Sequence, residues 1–242
     1  MRIDILGVGF DNLTPEQMAD MGMALLSTEG FHYAVTPNPE FILAAKKQPE
    51  FLAALNGADL SMPDGIGVVY AARILGRPLK GRVPGIDFAS TLLARLAQQE
   101  GRVFLLGSKP GVAEQAAEKL RQAYPGLVVC GNHDGYFQED APVIEEIQSA
   151  QPELLLVGLG APKQELWMRK NGPATGARLA IGLGGALDVF AGVTERAPVF
   201  WQKLGLEWLY RLFREPWRIK RMIKLPLVLW YAFIARLRGG GR

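Results

Sequence analysis

Three stretches of the chain combine groups that can move protons, hold hydroxyls or meet phosphate charge. Asp64 stands in Ser61-Met62-Pro63-Asp64-Gly65-Ile66-Gly67, ahead of a helical stretch running to about Leu75. A carboxylate there can take the proton of an attacking hydroxyl as a general base, and it can equally cap the helix. Two glycines at a helix start cost stability, which suggests a ligand close to the backbone. Thr36-Pro37-Asn38-Pro39 offers a hydroxyl and an amide able to hydrogen-bond a sugar. Asn38 ahead of Pro39 and Glu40 is also a good helix N-cap. Gly158-Leu159-Gly160-Ala161-Pro162-Lys163-Gln164-Glu165 puts three polar side chains in the first turn of a helix. Gln164 can donate to and accept from sugar hydroxyls, and Lys163 can offset phosphate charge.

Other chemistries find less support. Cys130 is the single cysteine, and His32 and His133 are far apart without metal-ligand spacing, so no metal site is expected. A lone cysteine also fits a reducing compartment. Gly7-Val8-Gly9-Phe10-Asp11-Asn12 lacks the third glycine of a dinucleotide fingerprint. The following strand ends in Thr36-Pro37-Asn38 instead of the acidic residue that would bind a ribose. A nicotinamide-dependent oxidoreductase is therefore disfavoured, and a structural glycine turn is expected.

The elements that must carry these residues follow from hydrophobic periodicity. Residues 3–6, 31–35, 103–106, 127–130, 154–157 and 179–181 read as buried strands. Between them, 15–28, 39–54, 86–99, 112–123 and 142–150 read as helices. Strand, glycine turn and helix in alternation predict an α/β fold, a mostly parallel Rossmann-like sheet with helices on both faces. Ligands of such sheets bind at the carboxyl ends of the strands, where the three stretches fall.

Near residue 196 the character changes. Residues 1–202 carry 17 Lys and Arg against 22 Asp and Glu; residues 203–242 carry 10 against 2. Trp201, Trp208, Leu209, Leu212 and Phe213 recur at helical spacing, while Pro216 and Pro226 divide the segment into short helices. The expected organisation is one domain over 1–195 and a basic helical appendage over 196–242. Aromatic residues among basic ones favour a membrane interface; no nucleic-acid motif accompanies the charge. The opening Met1–Gly7 does not read as a signal peptide, and no apolar run is long enough to span a bilayer.

Taken in order, Thr36-Pro37-Asn38, Met62-Pro63-Asp64-Gly65, Gly81-Arg82-Val83-Pro84-Gly85, Leu106-Gly107, Asp134-Gly135-Tyr136-Phe137, Gly160–Glu165 and Gly182-Leu183-Gly184-Gly185 resemble the WecG/TagA/CpsF glycosyltransferases over almost the whole chain. The resemblance implies an inverting, metal-independent transfer that uses no cofactor. The donor would be a UDP-sugar, often UDP-N-acetylmannosamine, and the acceptor GlcNAc on a polyprenyl diphosphate. Asp64 would be the base, and Thr36, Asn38 and Gln164 would line the sugar pocket. Arg82 and the tail residues Arg211, Arg218 and Arg221 would meet phosphates. Gly107, Tyr136, Lys163, Glu165 and Asp188 are further candidate substrate contacts. The chain contains no DxD-like motif, so arginines are the natural counter-charge for the leaving diphosphate. A peripheral place on the cytoplasmic face of the membrane follows, with no nucleic-acid partner and with assembly into homo-oligomers left open. The runner-up is a non-catalytic nucleotide- or phosphate-binding module recruited to membranes by its tail.

Overall fold

The computed structural model describes residues 2–203, 205–214 and 225–239. Six parallel strands form the main sheet in the order β4-β3-β8-β7-β5-β6: β3 His32–Val35, β4 Leu60–Ser61, β5 Arg102–Gly107, β6 Val128–His133, β7 Leu154–Gly158 and β8 Leu179–Gly182. The apolar runs of the sequence are explained by burial on both faces. Leu154 and Leu156 of β7 join one core, and Leu155 and Val157 the other. β5 divides in the same way, with Val103 and Leu105 against Phe104 and Leu106. This period of two, with every position apolar, is what a sheet covered on both sides requires.

One core lies under α1 (Pro15–Ser27), α5 (Gly85–Ala97), α6 (Val112–Ala123) and α9 (Ala186–Phe190). The other lies under α2 (Pro39–Ala45), α3 (Pro49–Asn56), α4 (Ile66–Ile74), α7 (Asp140–Ala150) and α8 (Lys163–Asn171). The architecture is the Rossmann-like one expected.

Two local expectations need correction. Residues 3–6 do form a strand, but outside the parallel sheet. β1 (Arg2–Ile5) pairs antiparallel with β2 (Val8–Asp11) in a separate hairpin. Leu6 (φ 57°) and Gly7 (φ 96°) make its turn, the positive-φ pair that a tight two-residue hairpin demands. The glycine turn is thus structural. The single helix expected over 39–54 is two helices. Pro49 has no N–H to donate and pushes Gln48 into extended backbone (φ −133°, ψ 92°), so α2 ends before α3 begins.

The C-terminal segment supplies α10 (Val199–Lys203), α11 (Glu207–Arg214) and α12 (Leu225–Leu237). α12 packs on α4 and α2, and its small residues Val228 and Ala232 are fully buried in the second core. Its large residues Leu227, Trp230, Phe233 and Leu237 are exposed, Trp230 by 58% and Phe233 by 47%. No helix among the described residues is long and apolar enough to cross a membrane.

Candidate active site

A cavity of about 220 Å³ opens at the carboxyl ends of β3, β4 and β8. Backbone hydrogen bonds draw its walls together. Met62 N donates to Val35 O at 2.9 Å and Asp64 N to Pro37 O at 3.1 Å, so the loops after β3 and β4 run side by side. Val83 N donates to Pro63 O at 2.9 Å and brings the Arg82 loop against them. Gly85 then packs on Thr36, where a Cβ would lie only 2.6 Å from the threonine methyl. Thr36, Asn38, Asp64 and Arg82, distant in sequence, all line the cavity.

The two polar residues after β3 are partly committed. Thr36 Oγ1 donates to Gly182 O at 3.0 Å, tying β3 to the end of β8. Asn38 Oδ1 accepts from Glu40 N at 2.8 Å and Phe41 N at 3.3 Å, so it is the N-cap of α2. The amide NH2 is the end of Asn38 with donors to offer a ligand.

Asp64 is different. The N-cap of α4 is Gly65, with φ 98°, a residue with no side chain to cap the helix. Asp64 stands one residue before that N-cap, and the positive φ accounts for the glycine. Its half-buried carboxylate lies on the cavity wall.

Gln164 and Glu165 do not line the cavity. They are 1% and 0% exposed. Gln164 Nε2 donates to Glu165 Oε1 at 2.6 Å, and Gln164 Oε1 accepts from Gly184 N at 3.0 Å. Thr36 grips the same turn through Gly182 O. A Cβ at Gly182 would lie 2.9 Å from Gln164 Nε2 and from Met168 Cε, so a larger residue there would have to shift the ends of both side chains. The turn so held supplies Leu183, Gly185 and Ala186 to the cavity wall. Gln164 and Glu165 thus position that wall.

Burial pushes the Glu165 carboxyl up from its ordinary 4.5 to about 7, against partial relief from its hydrogen bond with Gln164. Between those values the folded chain holds a proton that the unfolded chain has released. Glu165 therefore stabilises the fold below pH 4.5 relative to high pH, and that contribution fades as pH rises through 7. Glu165→Gln, neutral at every pH, should not lose it. Its unfolding free energy relative to wild type should rise by about 3 kcal/mol between pH 4.5 and pH 8. Parallel pH profiles from denaturant titration would refute this.

A second group gathers at the ends of β5, β6 and β7. Lys163 Nζ donates to Gly135 O at 3.2 Å and sits 4.7 Å over the Phe137 ring. Asp188 Oδ1 accepts from Ser108 Oγ at 2.9 Å. Tyr136 is 70% exposed. Gly107, with φ 135°, lets the ends of β5 and β7 close up, since a Cβ would come within 2.5 Å of Gly158. Arg211 lies in α11, but its side chain, like Arg218 and Arg221 altogether, is outside the described residues.

Sequence reading missed three charged residues. Arg196 donates from Nη2 to Asp87 Oδ2 at 2.9 Å and from Nη1 to Asp87 Oδ1. Glu207, at the start of α11, lies on the cavity wall and pairs with both Arg82 and Arg196. Burial opposes the charge on Arg196, but its hydrogen bonds to Asp87 and the attraction of Asp87, Glu207 and Asp64 outweigh it and raise its pKa. The signals were present: Asp87 follows the Gly81–Gly85 motif by two residues, and Arg196 opens the appendage.

The model of the glycosyl transferase WecG/TagA/CpsF family matches residues 3–242. A Bacillus spizizenii protein named N-acetylglucosaminyldiphosphoundecaprenol N-acetyl-beta-D-mannosaminyltransferase is 38% identical over 194 residues, covering 80% of this chain and 76% of the relative. A Staphylococcus aureus protein of the same name is 36% identical over 232 residues, covering 95% of this chain and 91% of that one. A Rossmann-like sheet, the motifs converging at its carboxyl edge and a match over nearly the full length agree: the chain belongs to the WecG/TagA/CpsF family of glycosyltransferases.

Proposed function

We propose that this glycosyltransferase moves N-acetylmannosamine or a related hexose from a UDP-sugar to GlcNAc on a polyprenyl diphosphate, in the synthesis of a cell-surface polysaccharide or teichoic acid. The observation that carries this reading is Asp64: a carboxylate one residue before the N-cap of α4, on the wall of a strand-end cavity shared with Arg82. The names of the two relatives support the acceptor and the sugar.

In this reaction the acceptor hydroxyl attacks the anomeric carbon and Asp64 takes its proton. The bond from that carbon to the β-phosphate oxygen breaks on the opposite face, configuration inverts, and UDP leaves. Charge grows on the departing diphosphate, and preorganised cations lower the barrier. Arg82 is one such cation; Arg211, Arg218 and Arg221 are proposed to close over the site when the appendage of residues 196–242 is docked. Tyr136, Lys163 and Asp188 form the proposed nucleotide end, beyond the turn held by Thr36 and Gln164. A polyprenyl acceptor stays in the bilayer, so the exposed aromatic face of α12 is proposed to rest on the cytoplasmic side of the membrane.

The test is to incubate the purified protein with a panel of UDP-sugars and a short-chain GlcNAc-diphosphate lipid, and to read products by mass. A disaccharide-lipid is expected with one of the sugars; none with any sugar would leave the binding-module reading in its place. Because arginines are proposed to meet the leaving charge, a chelator should leave turnover unchanged. Loss with EDTA and recovery with magnesium or manganese would count against that assignment.

A further inference from the structure

Where the cavity meets the C-terminal segment, two guanidiniums converge on one carboxylate. Arg82 Nη1 lies 3.4 Å from Glu207 Oε2, and Arg196 Nε lies 3.7 Å from Glu207 Oε1. Charge-assisted N–H···O bonds run to about 2.7–2.9 Å, so both cations hold Glu207 loosely. Arg196 is itself well fixed, because Asp87 takes both of its terminal nitrogens. Its Nε–H is buried and has no hydrogen-bond acceptor. A buried charged donor left without an acceptor is costly, and this one faces the cavity-lining Glu207.

The mismatch is one of shape. Each guanidinium faces one oxygen of the Glu207 carboxylate, and neither pair closes to the distance of a charge-assisted bond. A phosphate presents three or more acceptor oxygens around a tetrahedron, and arginine forks suit it. The N-terminal end of α5, at Gly85 and Ile86, lines the same cavity and favours negative charge there.

We propose that Arg82 and Arg196 together form a phosphate site, positioned by Asp87, and that Glu207 occupies it until a substrate diphosphate displaces it. The proposal rests on the reading that the substrates carry diphosphates, and it adds the site and its built-in competitor. Displacement would shift the start of α11, which also brings Trp208 to the cavity wall. The phosphate can come from the nucleotide donor or from the lipid-linked acceptor; the chemistry is the same.

The experiment compares full-length wild type with Glu207→Gln and Glu207→Asp. Pyrophosphate binding is measured by calorimetry, and the KM for UDP-sugar and the KM for GlcNAc-diphosphate lipid are measured separately. If Glu207 fills the site about nine-tenths of the time, removing its charge should tighten pyrophosphate binding about tenfold. Glu207→Asp, which keeps the charge but draws it back by one methylene, should tighten it by less. The KM that falls alongside identifies which substrate supplies the phosphate. Arg196→Gln should weaken pyrophosphate about tenfold or more in either background. If Glu207→Gln and Glu207→Asp leave pyrophosphate binding unchanged or weaken it, Glu207 is a strut joining the appendage to the body and the proposal fails. Calorimetry needs no turnover, so that failure is separable from a failure to form product.

Discussion

Asp64→Asn is expected to keep the fold and the binding of UDP while lowering turnover roughly a hundredfold or more, the scale of losing a general base. The variant suits the question because the N-cap of α4 is Gly65 and not Asp64. Its loop is held by main-chain bonds, Asp64 N to Pro37 O and Val83 N to Pro63 O, which the substitution leaves in place. Asn preserves size and polarity and removes the negative charge together with the ability to accept a proton. One side effect is predictable. Asp64 contributes to the field that raises the pKa of Arg196, so the network of Arg196, Asp87 and Glu207 loses one anion. Asp87 still takes both terminal nitrogens of Arg196, so the melting temperature should move little. Turnover is read by product mass and UDP binding by thermal shift. Normal turnover would remove Asp64 from the mechanism; lost UDP binding would make it a structural or binding residue instead.

The sheet was legible because burial on both faces leaves strands such as 154–157 wholly apolar, a pattern hard to mistake beside glycine turns. β4 escaped notice because it is two residues long and carries Ser61. The hairpin was misplaced because Ile3–Leu6 has the same apolar character as a sheet strand; only the turn conformation of Leu6 and Gly7 sends the chain back antiparallel. At the site, sequence order located the turns but not the direction of each side chain. Lys163, Gln164 and Glu165 read alike as polar residues at a helix start. The helix rotates by about 100° per residue, and it turns Gln164 and Glu165 into the interior while Lys163 stays near solvent. Polar residues turned inward defeat any reading based on hydrophobic period. The ion pair of Glu207 with Arg82 was illegible for another reason: the two lie 125 residues apart, on opposite sides of the change in composition.

Replacing Trp230, Phe233 and Leu237 together with Ser should abolish most vesicle binding and leave the protein folded. α12 inverts the usual arrangement of a docked helix, with small Val228 and Ala232 inside and its bulk outside. Leu227, Trp230, Phe233 and Leu237 recur at three- and four-residue steps, so they share one face. Lys46 lies 4.1 Å over the ring of Tyr231, and Arg236 Nη1 donates to Leu75 O at 3.3 Å, so the helix is held to the body by polar contacts beside its apolar ones. Those contacts survive the triple substitution. Cutting the segment off at residue 197 is the poorer experiment, because it would strip Val228 and Ala232 from the second core and expose the faces of α4 and α2. If each of the three side chains contributes about 1 kcal/mol at the interface, part of its full burial value, their loss weakens partitioning roughly a hundredfold. Turnover should fall steeply with acceptor embedded in vesicles and stay near wild type with a short-chain acceptor in solution. Vesicle sedimentation and the two turnover assays decide it. Undiminished binding to vesicles would move the membrane contact elsewhere on the chain. Equal losses with both acceptors would mean that α12 acts on the site itself, through α4 and the loop of Asp64 that leads into it.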